Sequence, residues 1–337
     1  MTSLKLLILG GTRFVGRHIV ETALARGHEP TLFNRGQSGA ALFPGVECRL
    51  GDRQSDLSAL VQGEWDAVID TCGYLPREVA ASADMLASRV GAYAYISSIS
   101  AYASFGRPND ESSPLGVLAD PHTEVVDGAS YGPLKAACEA VLMARVGADR
   151  ALIIRPGLVV GPHDPTERFT YWPARISLAA AGERVLVPAP ADAGLQFIDA
   201  RDLAAFVLDA LEQGRRGAYN AVAAPDQWRR DELLQACVAA AGTQPTWAWA
   251  DGDWLDAQGV KPWNDLPLWL PDSAEYAGFM QARNAKALAA GLRIRPLAET
   301  VVDTLDWWRS LPPDQRRFSK AGLSPEREAQ LLAAQPQ

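Results

Sequence analysis

Apolar positions in the first 155 residues fall in short unbroken runs, and these alternate with stretches of helical period. The runs at 4–9 (LKLLIL), 30–34 (PTLFN), 46–50 (VECRL), 65–71 (WDAVIDT), 92–98 (AYAYISS) and 151–156 (ALIIRP) predict six strands. Residues 13–27, 55–63, 77–90 and 130–147 predict helices, the first stopped by Gly27 and the second capped by a serine. A strand that is apolar almost throughout, as 4–9 is, must be buried on both faces. Strands alternating with helices therefore predict a parallel sheet with helices on either side, whose ligands sit at the carboxyl ends of the strands.

Beyond about residue 156 the pattern loosens, and prolines gather at Pro162, Pro165, Pro173, Pro188 and Pro190. Residues 184–189 predict a strand, and 201–214 a helix with an acidic start and a glycine stop. Trp228, Trp247, Trp249, Trp254, Trp263 and Trp269 follow and read as the core of a smaller lobe that roofs the ligand crevice. From Leu311 no sheet pattern remains, and 324–335 predicts a terminal helix.

Composition narrows the classes. The 337 residues are 48% hydrophobic, which predicts a folded chain with an ample core. The net charge is −8 and the pI about 5.1, so the chain lacks the overall basic character with which a general nucleic-acid binder displaces phosphate counterions. Four cysteines (Cys48, Cys72, Cys138, Cys237) and four histidines (His18, His28, His122, His163) show no metal-ligand spacing. Reduced thiols and no metal are expected. The first apolar run ends after Leu9, and no later run approaches the ~20 residues of a membrane span. These features predict a soluble cytoplasmic protein with no nucleic-acid or membrane partner.

The first candidate chemistry lies in GGTRFVG, residues 10–16, between the first strand and the first helix. Gly10 allows a tight turn, Gly16 allows close packing of the helix, and the helix N-terminus offers free N–H groups to a pyrophosphate. Because this loop follows a predicted strand and opens a helix, it predicts dinucleotide binding, with Gly10, Thr12, Arg13, Phe14, Val15 and Gly16 as contacts. The second strand ends in Asn34-Arg35, where an NAD-binding protein usually carries an acid for the ribose 2′-hydroxyl. No carboxylate repels a 2′-phosphate there, and Arg13 and Arg35 can bind one. NADP(H) is therefore the favoured cofactor, with NAD(H) as the alternative. Asp52 and Arg53 end the third strand, near the expected adenine, although Asp52 can equally cap the segment that follows.

YGPLK puts Tyr131 and Lys135 at i and i+4 on one helix face. An ammonium near a phenol favours the phenolate and lowers its pKa from about 10, so the tyrosine can move a proton at a carbonyl or alcohol oxygen. YISSISAY puts Ser97 and Ser98 at the end of the fifth strand, the same sheet edge as the glycine loop. DTCGY puts Thr71, Cys72 and Gly73 at the end of the fourth, where a cofactor ribose would pass.

With these elements in this order, the chain resembles the short-chain dehydrogenase/reductase superfamily, in its extended or atypical branch of NAD(P)-dependent epimerases and dehydratases. The resemblance is clear over residues 4 to about 220 and weaker over 284–308. It implies that Tyr131 is the catalytic acid/base, that Lys135 is its partner and a ribose contact, and that Ser98 is the catalytic serine. It also implies that Pro156 and Gly157 of RPG pass near the nicotinamide. The implied fold is α/β: a Rossmann doubly wound parallel sheet in residues 1–160, joined again by about 195–220, with a smaller interleaved C-terminal substrate lobe mainly in 161–311 and a tail at 312–337.

Sugar-nucleotide members of that branch typically read R-x-x-N-x-Y-G-P after the sixth strand and F-x-H-V-x-D further on. Here RPGLVVGP and FIDARD place Leu158 at the Asn position, Val160 at the Tyr and Asp199 at the His. A substrate less polar than a sugar diphosphate follows. Tyr74, Tyr102, His163, Asp164, Phe169, Tyr171 and Trp172 are its candidate wall. The expected activity is NADP(H)-dependent oxidation or reduction of a small-molecule alcohol or carbonyl by a monomer or homodimer. An epimerase or dehydratase with retained cofactor is the alternative. A non-catalytic dinucleotide sensor or RNA binder is a further one, although such relatives often lose the Tyr/Lys pair that this chain keeps.

Overall fold

The computed structural model describes residues 3–39 and 41–335. Its first part runs β1 (Lys5–Leu9), α1 (Phe14–Ala25), β2 (Glu29–Asn34), β3 (Glu47–Leu50), β4 (Trp65–Asp70), α2 (Pro76–Leu86), β5 (Val90–Ile96), α3 (Tyr131–Val146) and β6 (Ala151–Pro156). There follow β7 (Leu158–Val160), α4 (Tyr171–Ser177), β8 (Arg184–Pro188), β9 (Gly194–Leu195), β10 (Phe197–Asp199), α5 (Ala200–Glu212) and β11 (Gly217–Ala221). The remainder comprises β12 (Trp228–Arg229), α6 (Arg230–Ala241), β13 (Thr246–Ala250), α7 (Gly252–Ala257), α8 (Ala285–Ala289), α9 (Leu297–Ser310) and α10 (Pro325–Ala334).

Seven strands form one sheet in the order β11-β6-β5-β4-β1-β2-β3, and every neighbouring pair is parallel. This is the doubly wound α/β arrangement that the alternating pattern predicts. The strand order reverses between β1 and β4, so the loops leaving those strands turn to opposite faces and open a crevice. Leu6, Leu7, Ile8 and Leu9 have no exposed surface, as a central strand covered on both sides requires. Helices α1 and α5 cover one face, and α2 and α3 the other.

Each of the six predicted strands is present to within two residues. The helix expected over 55–63 is instead a single 3₁₀ turn at Ser58–Leu60. Arginine side chains take its carbonyls. Arg49 donates to Ala59 and Gln62, and Arg89 donates to Leu60 and Gly63, so those oxygens are not available to helical amides.

The second half packs its own apolar cluster around Phe169, Trp172, Phe197, Trp228 and Trp269, with Phe197 and Trp228 stacked 4.4 Å apart. Its strands pair as β7 with β10, β8 with β13 and β9 with β12. From β10 the chain returns to the main sheet, through α5 against α1 and then β11 beside β6. Helix α10 docks on β8, where the buried Glu328 accepts from Arg175 Nε (2.6 Å) and the Leu186 amide (2.9 Å).

A buried polar network ties α3 to the sheet. Glu139 accepts from Ser97 Oγ and from Arg155 Nη2 (2.6 Å); Arg155 donates to Tyr102 Oη (3.1 Å), which donates to Asn220 Oδ1 (2.7 Å). Glu139 and Arg155 are 3% and 4% exposed. Removing one partner of a pair this deep strands the other charge, at a cost of roughly 3–5 kcal/mol. Glu139→Ala should therefore lower the unfolding free energy by about that amount in urea titrations; a loss below about 1 kcal/mol would show that the pair contributes little.

Candidate functional site

The glycine loop follows β1. Gly10 has φ of 105°, a conformation natural to glycine, and Gly16 lies so close to the loop that a Cβ there would stand 2.7 Å from the Gly11 nitrogen. Helix α1 starts without help from side chains. Its N-cap, Arg13, makes no capping bond, and no acid stands in its first turn. The first amides of α1 thus lack side-chain acceptors, and no negative charge in that turn would oppose an anion. These features fit a pyrophosphate. Phe14 takes an unusual φ of 30°, and Val15 packs into the main core.

Thr12 Oγ1 lies 3.1 Å from Ser38 Oγ, joining this loop to the one after β2. Arg13 and Arg35 are exposed, and neither has an ion-pair partner among the described residues. Asn34 Oδ1 accepts from the Gly36 amide (2.8 Å) and so shapes the turn that carries Arg35. The residues expected near the adenine differ. Asp52 Oδ1 caps the Gln54 amide (3.0 Å), and Arg53 is inside the protein, bidentate on Asp70 at 2.6 and 2.9 Å and 3.3 Å from Cys72 Sγ. Arg53 therefore holds the end of β4 and is not a free cation. At the same strand end, Thr71 Oγ1 donates to the Leu9 carbonyl (2.9 Å), and burial followed by the Asp70 charge pushes the Cys72 thiol up.

Ser98 caps a 3₁₀ turn at Ile99–Ala101 by accepting from the Ser100 amide (3.0 Å). Tyr131 is the first residue of α3, and the next residue explains the geometry. A Cβ at Gly132 would stand 2.0 Å from the Ser100 carbonyl oxygen, so only glycine lets the helix start abut the serine turn. The sequence contains Gly132 in YGPLK, yet its role needs the tertiary contact. Burial pushes the Tyr131 phenol up to about 12, and the neighbouring Tyr74 adds to this; the Ser98 hydroxyl and the Arg168 guanidinium pull the other way.

Lys135 is buried one turn along α3. Its Nζ donates to the carbonyls of Gly73 (3.0 Å) and Ile96 (2.6 Å) and lies 4.3 Å from the Tyr95 ring centre and 5.4 Å from that of Tyr74. Burial brings its pKa down to about 8, against the opposing pull of Asp70 and other neighbours. The cation named beside the phenol is Arg168, while the Lys135 ammonium donates to two carbonyl oxygens. One of its three N–H groups has no protein acceptor among the described residues.

The predicted wall divides. Tyr74 is exposed beside Lys135, and Gly157 lies close to Ile99 of the serine turn, its amide donating to Ala221 (3.3 Å) after the buried Pro156. Tyr102 is locked in the Arg155 network. Phe169 and Trp172 belong to the second core, Trp172 donating to the Pro267 carbonyl (2.9 Å). Tyr171 is also internal, with its ring on Phe318 at 5.4 Å. Asp164 is buried, its carboxylate on the amide and hydroxyl of Thr166. His163 packs against His18 of α1 and Trp307 of α9 at 5.9 and 5.3 Å. Asp199, at the His position of the sugar-nucleotide pattern, turns inward to Arg201 and Thr300. Arg168, absent from the expected residues, is the site's addition. Nothing in TERFTYW distinguishes it from a surface arginine.

Among the described residues no cluster of His, Cys, Asp or Glu is placed to hold a metal, and no helix is long and apolar enough to cross a membrane. The family described as NAD dependent epimerase/dehydratase matches residues 6–222, well over half of the chain. A curated relative, the Arabidopsis thaliana chloroplast stem-loop binding protein of 41 kDa b, is 28% identical over 261 residues, covering 71% of this chain and 63% of its own length. The chain thus spans less than two thirds of that relative. Among solved structures, a UDP-glucuronic acid 4-epimerase from Bacillus cereus in complex with NAD superposes with a TM-score of 0.63 at 15% identity, over 90% of this chain and 98% of that one. A human epimerase family protein with NADPH gives 0.58 at 21%, over 90% and 99%. At these identities the two structures establish a shared fold.

The buried ammonium has a pH signature. Between about pH 8 and the ordinary lysine value of 10.5, the unfolded chain holds a proton that folded Lys135 has released, so stability attributable to this group rises with pH across that window. Lys135→Met should flatten that rise when urea unfolding free energies of both proteins are compared from about pH 7 to pH 10; parallel profiles would contradict the depressed ammonium.

Proposed function

Because the chain belongs to the NAD dependent epimerase/dehydratase family, we propose that it is a nicotinamide-dependent enzyme that interconverts a carbonyl and an alcohol on a small molecule, with NADP(H) preferred over NAD(H). The observation that carries this reading is the gathering of Ser98, Tyr131 and Lys135 where the ends of β4 and β5 meet the start of α3. A bound nicotinamide would supply hydride chemistry. The protein's own groups handle oxygen and proton. Tyr131, with its phenol up at about 12, is protonated at neutral pH and suits donation to a carbonyl oxygen as negative charge develops there. Ser98 donates a second hydrogen bond to that oxygen, and Lys135 orients the ribose through its free N–H. In oxidation the same groups act in reverse. The unpaired Arg13 and Arg35, on loops joined through Thr12 and Ser38, support recognition of a 2′-phosphate.

The family, and the nucleotide-sugar epimerase of the same fold, favour a second reading in which the hydride returns to the substrate. Leu158, Val160 and the inward-turned Asp199 weigh against a sugar diphosphate. Turnover without added NADP(H), by protein that retains cofactor through purification, would favour this second reading. The stem-loop binding relative raises RNA as a ligand, against a net charge of −8. Salt-dependent RNA binding without oxidoreductase activity would support it.

Two experiments test the main reading. Tyr131→Phe should keep NADPH affinity and lose roughly 10²–10⁴ in turnover, measured by NADPH absorbance over a carbonyl panel; unchanged turnover rejects the assignment. Arg13→Ala and Arg35→Ala should each weaken NADPH by about tenfold or more while sparing NADH, measured by calorimetric titration. Equal losses would remove the 2′-phosphate from the argument.

A further inference from the structure

Most arginines drawn into the protein answer to a carboxylate. Arg26 meets Asp209, Arg53 meets Asp70, Arg155 meets Glu139, Arg175 meets Glu328 and Arg201 meets Asp199, all at 2.6–2.7 Å. Arg230, buried without an acid, donates instead to the carbonyls of Pro188 and Pro190 at 3.0 and 2.9 Å. Arg168 is half-buried on the loop leading into α4 and has neither kind of partner: among the described residues, no acceptor lies within hydrogen-bond distance of its guanidinium and no carboxylate pairs with it. Asp164, the nearby acid, has its carboxylate on Thr166.

What Arg168 does have is a flat aromatic support. Its guanidinium carbon lies 5.9 Å from the Trp263 ring centre. Trp263 meets Phe279 edge-on at 5.3 Å, and Phe279 meets Phe105 at 5.1 Å. Phe105 packs against the small cluster of Ile99, Tyr102, Val222 and Ala282. A series of ring contacts therefore runs from the unpaired cation to the cluster that holds Ile99 and Tyr102. Stacking on one face leaves the N–H edge of a guanidinium free, and that fork matches the two oxygens of a carboxylate.

We propose that Arg168 binds a carboxylate carried by the substrate close to its reacting carbon, so that the substrate class is an oxo or hydroxy acid with an apolar portion that lies on the Trp263–Phe279–Phe105 wall. This rests on the reading of Tyr131 as the proton donor. The Arg168 charge also acts on that phenol, in keeping with an anion at the reacting end of the substrate. A sugar nucleotide instead carries its anionic charge in a diphosphate linker.

The test pairs 2-oxo and 3-oxo acids bearing aryl or alkyl groups with their primary amides, and adds a UDP-linked sugar. Turnover and, separately, calorimetric binding to the NADPH-loaded protein are measured for the natural protein, Arg168→Gln and Arg168→Lys. The acids should be favoured over the amides at least tenfold in kcat/KM. Arg168→Gln should remove about tenfold to hundredfold from the acids, mainly through KM, with a loss on the amides at least tenfold smaller; Arg168→Lys should recover part of it. NADPH affinity should not change, which separates a binding role from misfolding. Equal losses on acid and amide, no acid binding, or preference for the UDP-sugar overturns the assignment. Acid binding that depends on Arg168 without any turnover keeps the carboxylate site and rejects the oxidoreductase reading.

Discussion

A single buried ammonium joins the pieces of the site. Lys135 leaves α3, crosses the carboxyl ends of two strands and donates to the carbonyls of Gly73 after β4 and Ile96 at the end of β5. A charge this deep is tolerated only when hydrogen-bonded, and burial already draws it down to about 8. The same contacts fix α3 along its axis, and the position of α3 decides where Tyr131 stands. Gly132 completes the constraint from the other side, because its missing side chain lets the helix start reach the Ser100 carbonyl. Tyr131 is thus positioned by a cation one turn further along the helix and by a backbone contact at the very next residue.

Beneath this level, two buried ion pairs carry the electrostatic load. Arg53 and Asp70 stiffen the end of β4, and Tyr93 Oη donates to the same Asp70 (3.1 Å). Glu139 and Arg155 do the same between α3 and β6, with Ser97 attached. Ser97 and Ser98 are neighbours with opposite assignments. Ser97 turns inward and is consumed by Glu139, while Ser98 begins the turn and faces Tyr131. Successive extended residues after β5 point their side chains to opposite sides, so that one hydroxyl is buried on Glu139 and the other is available to the proposed chemistry.

That contrast explains how much was legible in the sequence. The glycine loop, the strand series and the Tyr131/Lys135 pair depend on local rules: φ available to glycine, buried apolar runs, and residues four apart sharing a helix face. Those readings match the backbone closely. Tyr102, Phe169 and Trp172 were ambiguous because an aromatic ring serves a core or a ligand wall equally well, and distant chain decides which. Tyr102 is settled by Asn220 and Trp172 by Pro267. Arg53 reads from the sequence as a cofactor contact, and only the fold brings Asp70 across to pair with it. Arg168 was invisible for the opposite reason, since its significance lies in the partner it lacks.

The electrostatics of Tyr131 then differ from the simplest picture of a lysine lowering a phenol. Lys135 donates to two carbonyls, and the phenol is governed mainly by burial and stays protonated through the neutral range, with the Ser98 hydroxyl and the Arg168 guanidinium pulling the other way. An anion placed on that guanidinium would cancel part of its pull and raise the phenol further, keeping it protonated while making it a weaker acid. On the proposed reading, the charge of the substrate and the acidity of Tyr131 are coupled through one side chain, Arg168.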